Sequence, residues 1–80
     1  MENIPVTFEC NGKTFYGQLV QVAGAGGNSV FHLMNSKNFY CGRLRFSESV
    51  KDWVFDPTPK TIDLEQQVDY FGDVVTAWYQ

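Results

Sequence analysis

The sequence predicts an α+β fold: an antiparallel β-meander of about five strands with a C-terminal amphipathic helix packed on one face. Two features carry the prediction. Residues 4–55 read as short strands punctuated by turn signals, and the last eighteen residues, DLEQQVDYFGDVVTAWYQ, change to a helical period. Wound as a helix, that stretch puts Leu64, Val68, Phe71, Val75 and Trp78 on one face and Glu65, Asp69 and Asp73 on the other. Asp63 followed by Gln66 fits a capping box that would open the helix, with Ile62 just outside it.

The first strand, about 4–10, alternates Ile4, Val6, Phe8 and Cys10 with polar residues, and Pro5 suits an edge strand. Asn11-Gly12 is a two-residue hairpin signal, because both positions of a type I′ turn need positive φ. It sets Cys10 opposite Lys13, Phe8 opposite Phe15, Val6 opposite Gly17 and Ile4 opposite Leu19. Gly17 would leave room there for a ring from the helix, Trp78 or Phe71. The second strand, about 13–22, ends in the glycine-rich stretch AGAGGN at 23–28. With a strand following and no lysine, that stretch is a flexible connection rather than a phosphate cradle.

Strands at about 29–35 and 39–46 form a second hairpin centred on Ser36-Lys37. This register sets Leu33 against Tyr40, Phe31 against Gly42, and His32 against Cys41 on the outer face with Arg43 and Arg45. A fifth strand at about 53–55 stops at Asp56-Pro57-Thr58-Pro59, a stiff connector to the helix at about 63–79. The rival reading makes Val74–Tyr79 a sixth strand, with Gly72 as the break, since Gly in a helix interior costs about 1 kcal/mol relative to Ala. Together, residues 1–80 read as one domain near the size at which a single core suffices, helped by a 16% aromatic content.

Charge narrows the function classes. Residues 1–51 carry five Lys/Arg against three Glu, whereas residues 52–80 carry one Lys against six Asp/Glu. With a net charge of −3, the chain is a poor partner for double-stranded nucleic acid, which is bound through clustered cations. It holds no apolar run of membrane-spanning length and no signal-peptide pattern, so the expectation is a cytoplasmic protein with Cys10 and Cys41 as free thiols. One His and two Cys assemble no metal set, and no cofactor motif is present.

Among chemistry-bearing residues, Cys41 and His32 form the candidate reactive-thiol pair, since an imidazole facing a thiol could take its proton. Arg43 and Arg45, with Tyr40, make the most basic surface, suited to an acidic peptide or to a single strand stacked on an aromatic. Trp53 and Tyr70 are aromatic candidates at a helix–sheet margin. The expected function is a non-enzymatic protein-interaction domain, binding a protein partner or a second copy of itself as a homodimer. Alternatives are a small-molecule or peptide binder using a helix–sheet cleft lined by Trp53 and Trp78, and a thiol enzyme centred on Cys41.

Overall fold

A computed structural model describes residues 2–24 and 29–80. Five antiparallel strands, β1 (Asn3–Cys10), β2 (Lys13–Ala23), β3 (Val30–Asn35), β4 (Tyr40–Ser47) and β5 (Asp52–Pro57), pair in sequence order in one curled sheet. A 3-10 helix, Ile62–Gln67, then leads into α1, Val68–Trp78. The meander, the strand number and the helix are as the sequence predicts, and Val74–Trp78 is helical rather than a sixth strand. Part of the 23–28 connection lies outside the described residues. Among those residues, no helix is long and apolar enough to cross a membrane.

The β1–β2 hairpin forms in the expected register, with Cys10, Phe8, Val6 and Ile4 opposite Lys13, Phe15, Gly17 and Leu19. Its turn is set by Asn11 and Gly12 at φ 54° and 77°. The space at Gly17 is taken by the Met34 carbonyl, 2.2 Å from where a Cβ would sit, and by Phe15. None of the atoms nearest that position belongs to a helix ring.

The second hairpin departs from a two-residue turn. The Asn35 side-chain Oδ1 accepts hydrogen bonds from the Lys37 and Phe39 N–H groups, 2.9 and 3.0 Å, and Asn38 takes a left-handed φ of 65°. A bulge follows, so that Leu33 faces Gly42 and Met34 faces Tyr40, with Cys41 as the extra residue. Gly42 has φ 146°, and a Cβ there would meet the Phe55 ring at 2.3 Å, so only glycine fits. The bulge exchanges two side chains between faces. Cys41 turns into the core and Tyr40 turns out.

Residues of the inner face, Ile4, Val6, Leu19, Phe31, Leu33, Leu44 and Phe55, form one core with Leu64, Phe71 and Val75. Phe71 is fully buried, its ring 5.3 Å from Phe8 of β1 and 5.1 Å from Phe55 of β5. The helix thus bridges the two edge strands across the concave side of the sheet. Trp78, expected on the apolar face, is 44% exposed because α1 ends there, beyond the last buried residue, Val75.

The expected capping box does not form. Thr61, not Asp63, precedes the first helical turn, and no side chain caps it. Asp63 instead accepts a 2.7 Å hydrogen bond from Asn11 Nδ2, tying the helix entry to the first hairpin. Gly72 also has a packing reason for its place in a helix. A Cβ there would lie 2.4 Å from Trp53 Cδ1 and 2.9 Å from Cγ, so the indole lies directly on the helix backbone. Tyr70 fastens the opposite edge: its hydroxyl donates to the Thr7 carbonyl, 2.9 Å, and accepts from the Thr7 N–H, 3.2 Å.

Two outcomes follow from this packing. Gly72→Ala raises helix propensity by about 1 kcal/mol, yet overpacking against Trp53 costs about 1–3 kcal/mol. Denaturant unfolding is expected to show net destabilisation, reversed when Trp53→Leu is combined with it. Tyr70→Phe removes two hydrogen bonds to strand backbone and is expected to cost about 1–2 kcal/mol. Hydrogen exchange at the Thr7 amide should accelerate more than at its inner-ladder neighbours.

Candidate outer-face site

The convex face of the sheet follows from strand alternation. Inner positions of β2 and β3 are Phe15, Leu19, Phe31 and Leu33, so Tyr16, Gln18, Val20, His32 and Met34 point outward. On β4 the bulge adds Tyr40 to Arg43 and Arg45. One cross-strand row runs Asn3, Val20, His32, Arg43, Asp56, and a second runs Pro5, Gln18, Met34, Tyr40. The helix lies on the other side of the sheet.

His32 and Tyr40 meet edge to face with ring centroids 4.9 Å apart. Partial burial, and secondarily the neighbouring Arg43 guanidinium, hold the His32 pKa below its ordinary value of 6.5. At neutral pH the ring is therefore uncharged, with nitrogens able both to donate and to accept. Arg45 pairs with Asp56 through Nε at 3.2 Å, both side chains well exposed, so the pair adds little stability. Arg43 forms no ion pair among the described residues and remains an available cation. Tyr16, 60% exposed, and Tyr40, 44% exposed, supply rings at the same face.

Four of the seven expected site residues, His32, Tyr40, Arg43 and Arg45, are brought together here. The other three are drawn into the fold. Trp53 faces inward, edge-on to Phe46 at 5.5 Å and covered by Gly72. Tyr70 is committed to the Thr7 backbone.

The Cys41–His32 register is corrected: His32 pairs with Arg43, and Cys41 is buried on the opposite face. Burial pushes the Cys41 thiol above its ordinary pKa, only partly opposed by the Asn35 backbone, and the thiol lies 3.4 Å from the Phe39 carbonyl. That environment opposes thiolate formation. No group of three or more His, Cys, Asp or Glu among the described residues is arranged to hold a metal ion.

Sequence reasoning missed Tyr16. Its signal was present, because the parity that turns Phe15 and Leu19 inward necessarily turns Tyr16 out. Titration of the His32 ring by NMR is expected to give a midpoint below 6.5, and Arg43→Gln should move it upward. Because the folded pKa is lowered, His32 contributes to a loss of stability as pH falls from 6.5 through the folded value, and this contribution is absent above 6.5. Comparison with protein families, curated proteins and solved structures finds no match to this chain.

Proposed function

We propose that this chain is a small non-enzymatic interaction domain that receives an acidic protein surface on the outer face of β2–β4. The observation that supports it is charge placement. β2, β3 and β4 contain no Asp or Glu, while Arg43, Arg45, His32, Tyr16 and Tyr40 share their outward face. Arginine and tyrosine combine cation, apolar area and hydrogen bonding, the composition of protein-binding patches. The curled sheet presents them as a preformed surface.

A second copy is the occupant that this chain's own chemistry favours. Glu65, Asp69 and Asp73 lie exposed on the helical side of the molecule, opposite in charge to the outer sheet face. Since the two surfaces lie on opposite sides of the domain, their contact is head-to-tail rather than two-fold. Such contacts between exposed charges are screened by salt.

Light scattering behind size exclusion, over a range of concentration and salt, tests this reading. The expected result is weak association that strengthens at low salt, is lost in Arg43→Glu, and is lost in Asp69→Lys/Asp73→Lys. Combining the charge reversals should restore it. A monomer under every condition removes self-association. The wider proposal fails if an Asp/Glu-rich peptide also leaves the outer-face amide resonances unmoved.

A further inference from the structure

A second feature lies at the end of the sheet where the β1–β2 turn, the β3–β4 connection and the segment after β5 converge. A cleft of about 450 Å³ opens there, with Phe15, Leu64, Cys10 and Cys41 in its wall and Lys13 and Lys60 among its lining residues. A neighbouring cavity of about 410 Å³ shares Asn35, Cys41, Lys60 and Thr61 with it. Neither cavity is lined by Trp53 or Trp78.

Some polar groups in the wall are spent within the protein, and the cationic ones are not. Thr61 Oγ1 donates to the Cys41 carbonyl at 2.7 Å. Asp63, the one acid at the rim, accepts from Asn11 Nδ2 at 2.7 Å through one of its two carboxylate oxygens. Asn35 Oδ1 already accepts two backbone N–H groups, while its Nδ2 makes no hydrogen bond among the described residues. Lys13 and Lys60 form no ion pair among those residues. Unspent ammonium and amide donors therefore stand beside an apolar wall, in a cavity within the size range of small-molecule sites.

We infer that this end cleft binds a small organic carboxylate with an aromatic or short aliphatic body, the carboxylate held by Lys13 and Lys60 and the body against Phe15 and Leu64. Phosphate or another compact anion lacks the apolar half and does not use the wall. A neutral molecule of the same shape loses the two cations. This site shares no lysine with the outer face, so its failure and that of the interaction reading are separable.

The test is an NMR titration of isotope-labelled protein with 4-phenylbutyrate, 4-phenyl-1-butanol and inorganic phosphate. Saturable shifts are expected at amides of Lys13, Phe15, Asn35, Lys60 and Leu64, with outer-face amides such as Val20 and Arg43 unmoved. The carboxylate should bind roughly five- to tenfold more tightly than the alcohol, the worth of about one charge-assisted hydrogen bond in a half-exposed site. Lys13→Met/Lys60→Met should abolish that preference while leaving alcohol binding and the native spectrum intact, since both lysines are exposed.

Bound phenylbutyrate should also slow alkylation of Cys10, the half-buried thiol in the wall. The inference is overturned if no cleft amide shifts at saturating phenylbutyrate. It is also overturned if carboxylate and alcohol bind the native protein equally, or if the double lysine variant keeps the carboxylate preference.

Discussion

The structure depends on one contact: the Phe71 ring, fully buried between Phe8 of the first edge strand and Phe55 of the last. An open sheet leaves two unpaired edges, and a meander of five strands keeps them far apart unless the sheet curls. Phe71 touches both, so its burial rewards the curled state over the flat one. Removing a buried aromatic ring costs about 3–5 kcal/mol, a large part of the roughly 5–15 kcal/mol that holds a small domain folded. Gly72, next in sequence, lets the helix backbone descend far enough for that ring to reach, with Trp53 closing over it.

The same helix manages the β1 edge. Thr7 directs its N–H and carbonyl away from β2 and onto the Tyr70 hydroxyl. Groups two residues away along a strand point the same way, so Pro5 sits where no donor is needed and Glu9 presents its carbonyl to Gln67 Nε2 at 3.5 Å. Three different devices, a missing N–H, a tyrosine hydroxyl and a glutamine amide, blunt one edge against pairing with another chain. Tyr70 is thereby explained as part of the fold, and its polar end is no longer available to a partner.

Most of this architecture was legible because alternation and turn chemistry are local. Asn11-Gly12 and the period-two pattern sufficed to set the whole β1–β2 register. The β3–β4 register was not, because Asn35 builds its own turn and a bulge inserts Cys41, exchanging the faces of Tyr40 and Cys41. Asn38 and Gly42 carry that deviation in the sequence, yet each is also compatible with a plain hairpin. The helix face was readable, whereas its entry was not. Asp63 prefers Asn11, 52 residues away, over the local capping bond, and no periodicity encodes that choice. The outer-face cluster was half legible for the same reason: Arg43 and Arg45 follow from alternation, while Tyr40 joins them only through the bulge. The end cleft had no linear signature, since Lys13, Asn35 and Lys60 come from three separate connections.

Stability alone does not account for the composition of the outer face. A solvent-facing position on a central strand tolerates a carboxylate at small cost, and this chain has nine Asp and Glu against six Lys and Arg. Yet the acids fall on the edge strands, on turns and on the helical segment, while β2, β3 and β4 carry none. Tyrosine has a β-forming preference that accounts for Tyr16 and Tyr40 individually. It does not account for a neutral His32 held against Tyr40 beside an Arg43 that has no acid partner among the described residues. An unpaired guanidinium beside exposed rings, on a face free of carboxylates over its three central strands, contributes little to folding. Folding alone therefore leaves its placement unexplained, and that surplus of cation and ring is what the proposed interaction surface rests on.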